Sequence, residues 1–184
     1  MLFVALLVAA CGSGNAIPGD GGGGGAGGNG AGSKRAFVSY DMLQGNMGVE
    51  GADAACTKDA DIWFQGHTFR AWISTSTESA LARVGQGPWF VGSERLGTAA
   101  DLAASQLGTQ FNRSATGSVF ATGEYVWTGT VSGGVAASVT CADWTSKDLG
   151  LNGEVGQINF AGEKWTAATT PTCDHEGHLY CLEQ

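Results

Sequence analysis

The sequence predicts a single α+β domain closed by two disulfides, and three observations lead to this fold class. Helix-type and strand-type patterns of apolar residues alternate along residues 35–184. Four cysteines lie in that stretch, and the chain begins like an exported protein, in which cysteines pair. Of the 184 residues, 43% are hydrophobic, which suffices for one core but leaves little chain for a second.

The first half of the domain mixes both element types. Residues 36–40 are predicted as a strand and residues 51–61 as a helix. Residues 69–74 alternate between apolar and polar side chains, which is typical of a half-buried strand. Residues 79–84 fit a short helix. We therefore expect one or two short helices packed on mixed, mainly antiparallel strands.

The second half begins with one further helical signal and then predicts strands. Thr98 precedes a possible helix that has Asp101 in its first turn and Gly108 after its last. Beyond Val119, loops that contain glycine separate three predicted strands, at residues 125–130, 138–144 and 178–182.

The start of the chain resembles a bacterial lipoprotein signal peptide. Residues 2–10 are apolar and end in small residues directly before Cys11, as in a lipobox. This run is shorter than the roughly 20 residues that a membrane-spanning helix needs. The resemblance implies that residues 1–11 direct export and that Cys11 carries the lipid anchor, although the usual basic residues before the apolar run are absent.

A glycine-rich tether is predicted to follow, over residues 12–34. Ten of the fourteen residues from 19 to 32 are glycine, so this segment has few side chains to bury and much backbone entropy to lose. As a flexible coil it would hold the domain roughly 25 Å from the anchor. The predicted division is therefore 1–11 signal peptide and lipobox, 12–34 tether and 35–184 domain.

The charge of the chain bears on its partners. The net charge is −8, and the few lysines and arginines are scattered. No basic stripe is present that would neutralise phosphates, so nucleic acid is not an expected partner.

The remaining cysteines are predicted to form two disulfides. With Cys11 assigned to lipid, Cys56, Cys141, Cys173 and Cys181 are left, an even number in an exported chain. Spacing alone leaves three connectivities open. A zinc site on these thiols is not expected, because it requires closely spaced pairs that Cys56 and Cys141 do not supply.

Several short strings resemble the endostatin module of certain collagens and a family of uncharacterised bacterial lipoprotein ectodomains. The strings are G-N-M-G at 45–48, G-A-D-A-A-C at 51–56, F-R-A-W-I-S at 69–74, V-W-T-G-T at 126–130, T-C-A-D-W at 140–144 and L-Y-C-L-E at 179–183. They occur in order across residues 35–184. The resemblance implies a C-type-lectin-like fold with long loops and nested disulfides, Cys56 with Cys181 and Cys141 with Cys173.

The metal and catalytic motifs that we sought do not match known signatures. The E-P-N, Q-P-D and W-N-D strings of calcium-dependent lectins are absent. Asp174, His175, Glu176 and His178 form a polar turn that is one residue short of the H-E-x-x-H zinc motif. His67 has no predicted carboxylate partner. We expect no bound metal, no cofactor and no enzymatic activity, and interpret Asp143 and Asp148 as solvated charges.

Two loops are the predicted binding region. Residues 131–137 and 146–164 are rich in glycine, serine and asparagine and flank Cys141, and loops on a rigid scaffold commonly carry binding residues. The candidate ligand contacts are Asn152, Glu154, Gln157 and Asn159. The alternative for each is a tolerant surface position. Trp72, Trp127 and Trp144 are interpreted as core residues.

These observations predict a lipid-anchored protein of the bacterial envelope, outer membrane or cell surface with a monomeric, non-catalytic binding domain. Its expected partners are the membrane, through Cys11, and an envelope or extracellular protein or glycan, in an adhesion-type role. The alternatives are a structural envelope lipoprotein without a soluble ligand and a metal-dependent hydrolase built on the turn at 174–178.

Overall fold

The computed structural model describes residues 32–184, so the predicted signal peptide, Cys11 and most of the predicted tether lie outside the described residues. The α-helices in this part are α1 (Val49–Ala60), α2 (Ala80–Val84), α3 (Ala99–Ala103) and α4 (Cys141–Trp144), and a 3₁₀ helix spans Glu163–Trp165. The strands are β1 (Lys34–Val38), β2 (Phe69–Ala71), β3 (Trp89–Val91), β4 (Glu94–Gly97), β5 (Tyr125–Trp127), β6 (Thr130–Val131), β7 (Val135–Ala136), β8 (Val155–Gln157) and β9 (Tyr180–Glu183). The α+β class is confirmed.

A five-stranded sheet in the order β2-β9-β1-β3-β4 forms the centre of the domain. The pairs β1–β9, β2–β9 and β3–β4 are antiparallel, whereas β1 and β3 are parallel. Two antiparallel pairs, β5–β8 and β6–β7, lie outside this sheet. The strands are therefore mixed and mainly antiparallel, as predicted.

Side chains that alternate across the central sheet fill a core on each face. In β1, Ala36 and Val38 pack into one cluster, while Phe37 packs into the other. In β9, Tyr180 and Leu182 lie on the first side and Cys181 on the second. The second cluster also contains all four disulfide cysteines.

The tryptophans interpreted as core residues are fully buried. Each indole nitrogen donates a hydrogen bond inside the domain: Trp72 to the Thr166 hydroxyl, Trp127 to the Leu43 carbonyl and Trp144 to the Ser74 carbonyl. The prediction for these three is confirmed.

The two disulfides have the pairing that the resemblance implies. Cys56 on α1 bonds to Cys181 on β9 with 5.4 Å between Cα atoms, and Cys141 bonds to Cys173 at 5.5 Å. Both distances lie within the usual range of about 4.4 to 6.8 Å. Two disulfides indicate an oxidising, extracytoplasmic environment. Within residues 32–184, no helix is long and apolar enough to cross a bilayer.

Local signals located two of the short helices. Ser79 caps α2 by accepting a hydrogen bond from the Ala82 backbone. Thr98 and Asp101 form a reciprocal capping box at the start of α3, which satisfies backbone N–H groups that the helix itself leaves unpaired.

Three predictions about the fold were wrong: the number of helices, the loop at 146–164 and the strand at 138–144. The described residues contain four α-helices instead of one or two. The loop predicted at 146–164 contains strand β8 and the 3₁₀ helix, because distant strand and core contacts order it.

The segment predicted as a strand at 138–144 ends in α4, a left-handed turn. All four residues from Cys141 to Trp144 have φ between 50° and 64°. Nothing in their identity signals this conformation, since non-glycine residues avoid it. Three tertiary contacts hold the turn. Cys141 forms a disulfide with Cys173, the Trp144 indole N–H donates a hydrogen bond to the Ser74 carbonyl, and the Gly48 N–H donates one to the Trp144 carbonyl.

Candidate functional site

An open cleft of about 570 Å³ lies where three distant segments meet. Its volume falls within the range of small-ligand sites, about 300 to 1,000 Å³. The residues that line it, hereafter the acidic cleft, are Met42, Gly123, Glu124, Tyr125, Thr172, Asp174, His175 and Glu176.

Backbone pairing brings these segments together. Leu43 and Gly177 exchange backbone hydrogen bonds of 2.8 and 3.0 Å, which holds the segment of Met42 beside the turn after Cys173. The His178 N–H donates to the Tyr125 carbonyl at 2.9 Å and attaches the start of β5 to the same turn. The cleft is therefore part of a hydrogen-bonded framework.

A buried histidine lies behind one wall of the acidic cleft. The side chain of His178 is almost fully buried, and its Nδ1 lies 2.8 Å from the Ser39 carbonyl, to which it donates. Its Nε2 lies 3.3 Å from Oε2 of Glu124. The ring also packs on Phe120, with 4.7 Å between ring centroids. The Glu124 carboxylate therefore lies beside a buried imidazole, and its Oε2 accepts no hydrogen bond from the described residues.

The cleft combines negative charge with aromatic surface. Glu124, Asp174 and Glu176 contribute three carboxylates, and no lysine or arginine from residues 32–184 lines it. The Thr172 hydroxyl donates to Asp174 at 2.6 Å, and the rings of Tyr125 and His175 meet edge to face at 5.7 Å. Carboxylates accept hydrogen bonds only, so the cleft suits cationic groups and hydrogen-bond donors.

The residues of the predicted polar turn are divided between two environments. Asp174, His175 and Glu176 line the cleft, whereas His178 is turned inward onto Ser39 and Glu124. Among residues 32–184, no group of three or more His, Cys, Asp or Glu side chains is arranged to hold a metal ion.

The four predicted ligand contacts do not form one site, and two of them have structural roles. Asn152 donates its side-chain amide to the Thr170 carbonyl at 2.7 Å. Asn159 donates to the Ala121 carbonyl at 3.1 Å and accepts from Asn112 at 2.9 Å. Both amides therefore hold loops together.

The other two predicted contacts lie along β8. Gln157 is opposite Tyr125 in the β5–β8 pair, so it lies on the same sheet face as a residue of the cleft. Glu154 is half-buried just before β8, and this burial raises its pKa to about 6 against a weaker opposing hydrogen bond from the Ala168 backbone. Gln157 is thus paired with the lining residue Tyr125, as Asn152 is with the lining residue Thr172, although neither lines the cleft itself.

The expectation that His67 lacks a carboxylate partner was wrong. Its Nδ1 lies 2.5 Å from Oε1 of Glu183 on β9, and the Arg35 backbone N–H donates to the other carboxylate oxygen at 2.7 Å. The pair joins the turn before β2 to the terminal strand. Sequence spacing does not reveal it, because 116 residues separate the partners.

The two aspartates interpreted as solvated charges both accept hydrogen bonds. Asp143 accepts from the hydroxyl and the backbone N–H of Ser76 at 2.5 and 2.6 Å, and the Ser76 hydroxyl is the main cause of its lowered pKa. Asp148 accepts from the Gly150 N–H at 2.8 Å within its own turn.

Sequence reasoning missed five lining residues, among them Met42, Glu124 and Tyr125. Met42 follows a predicted strand, Glu124 precedes another, and Tyr125 begins the latter. The sequence feature that these three residues share is only weak evidence for a binding site. Each lies at or near the end of a strand, where side chains from distant segments commonly meet. The pairing of Leu43 with Gly177 and the hydrogen bond from His178 to Tyr125 bring them to one cleft.

Comparison with known proteins adds no further constraint. No protein-family model matches the chain, and no curated protein matches it.

Proposed function

We propose that this protein is a lipid-anchored component of the bacterial envelope, outer membrane or cell surface, with a domain that binds a protein or glycan ligand without catalysis. The observation that carries the proposal is the acidic cleft, a preformed cavity on a disulfide-bonded domain. Rigid sites avoid part of the ordering cost of binding. An adhesion-type role is consistent with such a site.

We further propose that the domain is C-type-lectin-like and endostatin-like. The disulfide connectivity supports this assignment, because Cys56 on the first helix bonds to Cys181 on the terminal strand. The segment between Cys141 and Cys173 forms an extended, disulfide-closed loop. The ordered strings at 45–48, 51–56, 69–74, 126–130, 140–144 and 179–183 support it further.

The position of the cleft suits a tethered domain. The described chain enters β1 at Lys34, whereas the segment that borders the cleft follows the other end of this strand. From Lys34 to Tyr40 the chain spans roughly 20 Å at about 3.3 Å per residue. A lipid anchor at Cys11 would therefore be attached near the end of the sheet that is distant from the cleft, and the cleft would remain accessible.

Site-specific photo-crosslinking in intact cells tests the proposal. A photoreactive phenylalanine analogue replaces Glu176, an exposed residue of the acidic cleft, in the full-length protein. The matched control carries the analogue at Ser93, an exposed residue of the turn between β3 and β4. We expect a discrete crosslinked protein or glycoconjugate at position 176 that is absent at position 93.

Two results would contradict the binding function. Crosslinks that are absent from both positions, or identical at both, favour the structural envelope lipoprotein. Cleavage of a captured molecule by the purified protein, with loss of cleavage after chelation, favours the hydrolase.

A further inference from the structure

A second depression lies next to the acidic cleft and exposes large apolar side chains. It has a volume of about 340 Å³, and Tyr40, Ile62 and Trp63 line it with exposed fractions of 75%, 76% and 56%. We call it the Trp63 groove. Soluble domains seldom expose adjacent large apolar side chains without an interaction that uses them.

The groove has a rigid base. Helix α1 ends at Ala60, and the N–H groups of Trp63 and Phe64 both donate to its carbonyl, at 2.9 and 2.7 Å. Phe64 points inward onto Phe37 and Phe69, with ring centroids 6.0 and 5.8 Å away. Trp63 is therefore held outward by a neighbour that is anchored in the core.

The opposite wall is also fixed. The Tyr40 N–H donates to Asp59 at 2.5 Å, and Lys58 forms an ion pair with Asp41 at 2.6 Å. These contacts leave the Tyr40 ring exposed beside two carboxylates and one ammonium group. The charged rim of the groove has a net charge of −1.

The groove and the acidic cleft lie on either side of the same short segment. Tyr40 and Asp41 line the groove, and the next residue, Met42, lines the cleft. Met42 is itself 51% exposed, so exposed apolar side chains lie on both sides of Asp41. The combined surface has an apolar side at Trp63 and a side with three carboxylates at Glu176.

We infer that this combined surface binds a basic protein segment, with a large apolar side chain in the Trp63 groove and nearby lysine or arginine side chains in the acidic cleft. The inference rests on the proposed binding function and specifies its partner. Charge complementarity supports a basic partner, since opposite potentials favour and like potentials oppose association.

Other occupants fit the surface less well. A second copy of the chain would bring carboxylates against carboxylates, because the chain has a net charge of −8. Anionic lipid headgroups and acidic polysaccharides meet the same repulsion. A neutral glycan could stack on the exposed rings of Tyr40 and Trp63, but it would bring no cation to the three carboxylates of the acidic cleft.

Selection from a random 12-residue peptide library displayed on phage, with the full-length protein in detergent micelles as bait, tests the inference. We expect enriched peptides to carry an aromatic or large aliphatic residue within a few positions of two or more lysines or arginines. Selected peptides without tryptophan are then titrated by calorimetry. Trp63 provides a second signal, since the other five tryptophans are fully buried and only Trp63 can be shielded from iodide quenching.

Three variants separate the parts of the surface. Trp63→Ala and Glu176→Gln should each weaken peptide binding by at least about tenfold, as expected for central contacts. The matched control Leu149→Ala removes another exposed apolar side chain, which lines neither depression, and should leave binding unchanged. Raising the salt from 50 to 300 mM should also weaken binding by about tenfold, because exposed charges are screened.

The outcomes distinguish this inference from the proposed function. Enriched peptides without basic residues, or binding that Trp63→Ala leaves unchanged, would overturn the inference. If no peptide is enriched but neutral cellotetraose or chitotetraose shields Trp63, the groove is a glycan site and the protein partner is wrong. A partner captured at position 176 whose crosslinking is unaffected by Trp63→Ala would retain the cleft as a binding site and remove the groove from it.

Discussion

Replacing Asp53 with alanine is expected to destabilise the domain strongly, because Asp53 forms an ion pair with a buried arginine. Its two carboxylate oxygens lie 2.9 and 2.8 Å from a guanidinium nitrogen of Arg83, whose side chain is only 7% exposed. One of these oxygens also accepts the Ala71 N–H at 2.9 Å. The side chain thus joins α1 to α2 and β2.

The magnitude follows from what remains after the substitution. Removing one partner of a buried ion pair costs about 3–5 kcal/mol, since the other charge is left without compensation. Arg83 retains Glu78 at 3.2 Å, but Glu78 is half exposed, so we expect the lower end, about 3 kcal/mol. In a domain of this size that lowers Tm by roughly 6–12 °C.

Thermal unfolding followed by circular dichroism, with both disulfides intact, measures this effect. The matched control is Lys58→Ala, which removes an exposed ion pair with Asp41 and should change Tm far less. A Tm for Asp53→Ala that falls no further than that of Lys58→Ala would refute the reasoning. Asp53→Asn, which can keep the bond to Ala71, should lie between wild type and Asp53→Ala.

Three further predictions concern packing, pH and anchoring. Gly45→Ala should lower the free energy of unfolding, measured in urea, by about 1–3 kcal/mol, because the added Cβ would lie 2.6 Å from Sγ of Cys141. The control Gly51→Ala adds a Cβ in α1 that meets nothing within 4 Å in the described part of the chain, and it should raise the free energy of unfolding by about 0.5–1 kcal/mol. Equal effects of the two substitutions would contradict the packing at Gly45. Burial raises the pKa of Glu154 to about 6, so the folded state favours the neutral acid and loses stability as pH rises from about 4.5 through 6. Glu154→Gln should therefore raise the free energy of unfolding at pH 7.5, by about 1 kcal/mol or less after solvent screening, but not at pH 4, as measured by urea unfolding at both pH values. A gain that is equal at both pH values would exclude this cause. Cys11→Ala should move the protein from the membrane fraction to the soluble fraction on ultracentrifugation, and persistent membrane association would contradict the anchor.

Signals that act within a few residues were readable from the sequence. Thr98 and Asp101 mark the start of α3 because a capping box needs residues only three positions apart. Alternation of side chains identified parts of β1, β2 and β9, and burial confirms Trp72, Trp127 and Trp144 as core residues. The α+β class follows from these local patterns.

The disulfide pairing depended on more than spacing. Four cysteines leave three connectivities open, and only the ordered strings implied the nested one that the structure contains. The resemblance implied the connectivity because it compares strings along the whole domain, whereas the spacing of the cysteines alone does not distinguish the three pairings.

Contacts between distant residues decided the rest. The left-handed turn at Cys141–Trp144 contains no glycine, and its conformation is held by a disulfide to Cys173 and by bonds to Ser74 and Gly48. The acidic cleft exists because Leu43 pairs with Gly177, 134 residues later in the chain. Local propensity carries no information about such pairings, since their free energy arises only when the folded chain brings both partners together.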